Sequence, residues 1–190
     1  MARSSIALLL VLPLACFAHL SFGPHTALHG VLHPLTGLDH LLALLAVGWL
    51  AVQCKGRSGN ASIPMAFLAG MLAGFGFGVA GLTAHFAEYG IVLSIVSMGV
   101  LVALSIESKH IWTLTLVAGL CHGMAHGAEM PASSSTAEYL LGVLASSAAL
   151  LFLGMHLYRR FSKIAAFPAI RLAASAMLIF VGIRFLVGIA

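Results

Sequence analysis

His33-Pro34-Leu35-Thr36-Gly37-Leu38-Asp39-His40 runs directly into Leu41-Leu42-Ala43-Leu44-Leu45-Ala46-Val47, which sets a carboxylate and two imidazoles at the edge of an uninterrupted apolar segment. The rest of the chain says what that segment is. Its 190 residues are 61% hydrophobic and 7% charged, with a mean hydropathy of +1.09, whereas a soluble domain carries about 25% charged residues. At about 20 apolar residues per crossing, this length builds one bundle of several membrane helices. The fold class is therefore all-α, a polytopic membrane helix bundle. A soluble catalytic domain is excluded. A nucleic-acid partner is excluded too, because nine Lys and Arg spread through an apolar chain form no contiguous phosphate-binding face.

The first eighteen residues have a basic start at Arg3, a short apolar run over 6–14, and small residues at Cys16 and Ala18, the pattern of a cleavable signal peptide. An uncleaved first helix is the alternative, and the run is short for one. Residues 1–18 then form the signal and 19–190 a domain of six transmembrane helices. Its apolar stretches are 35–52, 63–84, 91–106, 111–127, 139–157 and 169–188. Seven of the nine basic residues fall in alternate breaks, at Lys55, Arg57, Lys109, Arg159, Arg160, Lys163 and Arg171. The positive-inside rule puts those breaks in the cytoplasm, leaving both mature termini outside, as signal cleavage requires. Cys54 and Cys121 lie at opposite depths and read as packing residues rather than a disulfide. Histidine clusters in the first and fourth stretches hint at two inverted three-helix halves.

Ten histidines outnumber the five acidic residues taken together, although each polar group buried in a membrane costs free energy and calls for a partner. Asp39 costs on the order of 3 kcal/mol as an ion at the middle of a spanning helix. A bound cation offsets that cost; the alternative is that Asp39 caps its helix and meets the helix dipole. His33 and His40, seven residues apart, share a face of a regular helix but stand roughly 10.5 Å apart along its axis. Either the chain breaks between Pro34 and Gly37 and folds back, or His33 belongs to a separate outer waiting site. His25 and His29 extend the trail outward, as an entrance or as solvated surface residues.

The second cluster is Cys121-His122-Gly123-Met124-Ala125-His126-Gly127-Ala128-Glu129. His122 and His126, at i and i+4, project from one helix face and can chelate one ion, and Glu129 follows near the same face. Gly119, Gly123 and Gly127 form a parallel stripe of minimal side chains that lets another helix backbone approach. A third pattern in the second stretch, Gly70, Gly74, Gly78 and Gly81, leads by the same spacing to His85 and Glu88, which are expected to face the bundle at its outer end. Imidazole with carboxylate and no thiolate cluster suits divalent Ni, Co, Zn or Fe better than Cu(I) or Mg.

At these residues the sequence resembles the HupE/UreJ family of bacterial membrane proteins, through His33-Pro34-x-x-Gly37-x-Asp39-His40 and His122-Gly123-x-Ala125-His126-Gly127-x-Glu129. The likeness extends to signal, length and helix number; Cys121 stands where the family often has an aromatic residue. The resemblance implies an inner-membrane permease whose motif residues bind Ni²⁺ or Co²⁺, with Zn²⁺ as a further candidate, during import. The expected metal set is His33, Asp39, His40, His122, His126 and Glu129, with His25, His29, His85 and Glu88 along the path. The metal is cargo and no cofactor is expected. The competing class is a membrane-embedded zinc hydrolase, with His40, His122 and His126 as ligands and Asp39 or Glu129 activating water. The outer histidine trail favours the permease, because a hydrolase has no use for it.

Overall fold

The computed structural model describes residues 26–54, 59–82, 85–108 and 110–189. Their regular structure is seven α-helices, α1 (Thr26–Thr36), α2 (Leu38–Gln53), α3 (Gly59–Val79), α4 (His85–Leu104), α5 (His110–Ala128), α6 (Thr136–Phe161) and α7 (Phe167–Ile189). The expected signal segment 1–18 and His25 lie outside the described residues.

Each of the six apolar stretches forms a helix, and the first is preceded by a separate short one. Helices α3, α4, α6 and α7 are long and apolar enough to cross a membrane, and α1 with α2 makes a fifth candidate span, bent by 79° at a short break. The remaining helix, α5, has a comparable 19 residues but includes His110, His122 and His126.

Helix α3 ends at Val79, short of the expected 84. Gly81 takes φ +78°, the left-handed conformation that glycine adopts without penalty. Leu82 N–H then donates to Phe77 O at 3.0 Å and Gly81 N–H to Gly78 O at 3.0 Å, a Schellman termination.

Glycines set how closely the bundle packs. A Cβ at Gly70, Gly74 or Gly78 of α3 would lie 2.0–2.3 Å from the carbonyl oxygens of Leu116, Leu120 and Met124 on α5. Reciprocally, a Cβ at Gly119, Gly123 or Gly127 of α5 would lie 2.1–2.4 Å from the carbonyl oxygens of Phe67, Met71 and Phe75. Backbone therefore rests on backbone along both stripes, the arrangement small residues permit between membrane helices. Gly48 and Gly154 do the same between α2 and α6, and Gly30 and Gly142 between α1 and α6. The main pairings are thus α3 with α5, α1 and α2 with α6, and α4 with α7. Exchanging the first three stretches for the last three maps that set onto itself, the pairing expected of two related halves.

Candidate metal centre

The centre begins at the break between α1 and α2. Pro34, inside α1, has no N–H to continue the helical ladder. Thr36 Oγ1 donates instead to the carbonyls of Leu32 and His33 at 3.1 and 3.2 Å, which occupies acceptors at the end of α1. Gly37 then adopts an extended conformation (φ −78°, ψ 113°) and α2 starts in a new direction. Any residue tolerates that conformation; space is what selects glycine. A Cβ there would stand 3.0 Å from His40 Nδ1 and 3.1 Å from Asp39 Oδ1.

The bend resolves the helical-spacing conflict in favour of a broken segment. The His33 and His40 rings come to a centroid separation of 5.6 Å, far less than a continuous helix allows. Asp39 is not the cap of α2. The N-cap is Gly37, which makes no side-chain cap bond, while Asp39 Oδ1 lies 2.9 Å from His40 Nδ1. Asp39 still occupies the first turn, where the helix dipole favours its charge.

Helix α5 supplies the facing wall. Pressed against α3 by its glycine stripe, it carries His122 and His126 into the interior at 1% exposure each. His122 Nδ1 donates to Ala118 O at 2.8 Å, which fixes the tautomer and leaves Nε2 as a lone-pair acceptor. That Nε2 is buried without a partner, as is His126 Nδ1; neither ring nitrogen of His40 completes a hydrogen bond, despite the nearby Asp39 oxygen. Such orphaned nitrogens are costly in an apolar interior. They also converge. Ring centroids are 4.5 Å apart for His40 and His126, 4.9 Å for His33 and His126, and 5.2 Å for His40 and His122. One donor atom from each of His33, His40 and His126 lies within 4.8 Å of the others, a spread that modest side-chain rotation closes around an ion with donors at about 2.1 Å.

The other expected residues take different places. Glu129, just past α5 and 54% exposed, accepts from His33, with Oε2 2.9 Å from Nε2, and stands outside the three-histidine group. His29 packs on the outer side of His33, at 6.2 Å between ring centroids, with Nδ1 buried and unpartnered. Glu88 is exposed, contrary to the expectation that it faces the bundle. The glycine stripe meets α5 only as far as Gly78, the chain turns at Gly81, and Glu88 belongs to a new helix, so the spacing does not carry across; His85 opens that helix.

Two residues join the site unannounced by the sequence. Phe67 of α3 packs against His122 with centroids 5.4 Å apart. Tyr139 of α6, fully buried, lies against His29 at 5.9 Å, His33 at 6.3 Å and Phe75 at 6.2 Å. Tyr139 at the start of an apolar stretch reads as an interface anchor; its place in the centre depends on α6 packing against α1.

Fold and site together define a polytopic membrane protein with a buried histidine cluster toward one end of its bundle. The HupE/UreJ protein family matches residues 6–185, and the chain belongs to that family, one of metal transporters rather than enzymes. It is 34% identical over 180 residues to Protein HupE of Rhizobium leguminosarum bv. viciae, covering 90% of this chain and 93% of that protein. No solved structure matches the chain. Family membership removes the basis for the zinc-hydrolase alternative.

Proposed function

We propose that this protein carries Ni²⁺ or Co²⁺ into the cell across the bacterial inner membrane, without ATP, through the histidine centre between α1, α2 and α5. The observation that supports this most is the convergence of donors from the partly buried His33 and the buried His40 and His126. In this reading those three imidazoles take the ion from outside, and the unpartnered Nε2 of His122 is the next donor inward. Asp39, against His40, offsets the cation's charge. Glu129 acts through His33 as an orienting acceptor, in the manner of carboxylates behind metal-bound histidines.

The cluster end of the bundle faces outward in this account, because Arg159, Arg160 and Lys163 lie at the opposite end, around the α6–α7 connection, and positive residues stay inside. No Gly-x-x-x-x-Gly-Lys-[Ser/Thr] loop for nucleotide phosphates occurs in the sequence. None is required, since a divalent cation entering a negative interior gains about 4.6 kcal/mol per 100 mV.

The test is uptake of radiolabelled nickel and cobalt into vesicles reconstituted with the full chain, at imposed inside-negative potential. Saturable uptake of either ion that collapses with the potential supports the proposal. Uptake no faster than in protein-free vesicles, for both ions, rejects it.

A further inference from the structure

Tyr139 poses a problem that packing alone does not answer. It is fully buried, yet its hydroxyl has no hydrogen-bond partner, and an unpaired hydroxyl in an apolar interior costs free energy that phenylalanine of the same shape avoids. A second unpaired polar atom belongs to the neighbouring ring. His29 Nδ1 on α1 is also buried without a partner, and the two rings have centroids 5.9 Å apart. The backbones behind them are in direct contact, because a Cβ on Gly30 would stand 2.2 Å from Tyr139 O. Both rings therefore sit on a rigid joint. Glu129 adds a charged acceptor, hydrogen-bonded to the His33 ring that both Tyr139 and His29 touch.

The three groups have a common chemistry: a phenolic oxygen, an imidazole nitrogen and a carboxylate all accept hydrogen bonds. Water bound to a divalent cation donates strongly, since the metal's charge acidifies it. We infer that Tyr139 and His29 form an outer subsite that holds a partly hydrated divalent cation through its water ligands, just before His33, His40 and His126 replace those waters. Tyr139 is thus a positioning residue for capture. Its hydroxyl acts on the ion's hydration shell, and its ring supports His33. The inference rests on the transport reading above.

The experiment measures Ni²⁺ uptake by the reconstituted full chain for wild type, Tyr139→Phe, His29→Phe and the double variant, with Ser175→Ala as control. Ser175 carries another buried, unpartnered hydroxyl, on α7 where its backbone packs against Gly99 of α4. Tyr139→Phe keeps the ring and the packing, so a purely structural role predicts wild-type kinetics. The subsite predicts a rise of about tenfold in the Ni²⁺ concentration for half-maximal uptake, the equivalent of one lost hydrogen bond, with little change in maximal rate. The double variant is expected to add little to either single one, because both groups hold the same water shell. Ser175→Ala behaves as wild type.

Wild-type half-saturation in Tyr139→Phe, or an equal shift in Ser175→Ala, overturns the subsite while leaving the transport proposal standing. Absence of uptake by the wild-type protein overturns both. Should His29→Phe reach the membrane poorly, Tyr139→Phe alone carries the decision.

Discussion

His40 at the start of α2 and His126 near the end of α5 hold their rings 4.5 Å apart, and both are buried. Neither needs the other for the fold, since no hydrogen bond joins them and each retains an unpartnered nitrogen. Replacing His126 therefore relieves a buried polar group without breaking a bond, and replacing His40 removes only its 2.9 Å approach to Asp39, whose charge the first turn of α2 still favours. The His40→Ala and His126→Ala proteins should reach the membrane at normal abundance, measured by immunoblot, and lose saturable metal uptake. Loss of the protein itself would assign these residues to folding.

Asp39 separates charge from shape. Gly37, not Asp39, caps α2, so Asp39→Asn leaves the helix start intact while removing the negative charge beside His40. Uptake should fall about 10- to 100-fold, the usual cost of removing a carboxylate behind a metal-binding histidine. Thermal stability of the purified protein should change little. Unaltered uptake would exclude the charge-offsetting role.

Two glycines in the same structure predict opposite outcomes. A Cβ at Gly123 meets the Met71 carbonyl at 2.1 Å, and a backbone cannot rotate aside, so Gly123→Ala must part α3 from α5. A loss of about 1–3 kcal/mol or more is expected from such overpacking, read as a lower unfolding temperature and less protein in the membrane. At Gly37 the neighbours are the side chains of His40 and Asp39 at 3.0 and 3.1 Å, which can yield. Gly37→Ala should fold and raise the metal concentration for half-maximal uptake.

Protons and metal compete for the same lone pairs. Imidazole ligates only when neutral, and its reference pKa is about 6.5. Acid on the outer side therefore opposes capture. Uptake at low metal should fall as outside pH drops from about 7.5 to about 5.5, and high metal should restore part of it. Uptake that rises with acidity would point to carriage by something other than these imidazoles.

The sequence carried the residue types of the site more clearly than its shape. Asp39, His40, His122 and His126 stand out because ionisable groups in apolar segments demand a reason, and the i, i+4 spacing of His122 and His126 survives in α5 unchanged. His33 was ambiguous for a physical reason. Seven residues of helix separate it from His40, and whether Pro34 and Gly37 bend the chain depends on α1 finding a surface, which α6 provides at Gly30 and Gly142. The glycine stripe of α3 announced its close contact, but spacing carried past Gly81 failed at Glu88 because a left-handed turn resets the helical phase. Tyr139 was hidden altogether: its side chain is mostly apolar, and only the packing of α6 on α1 exposes the cost of its hydroxyl.

The most direct test of the central claim is X-ray absorption spectroscopy of the purified full chain with one equivalent of Ni²⁺, for wild type and His126→Ala. A three-histidine centre predicts multiple-scattering features of imidazole in the wild type, with a ligand set containing about three nitrogen donors, and a clear drop in imidazole scattering and affinity when His126 is lost. A spectrum of oxygen donors alone, or one that His126→Ala leaves unchanged, would contradict it.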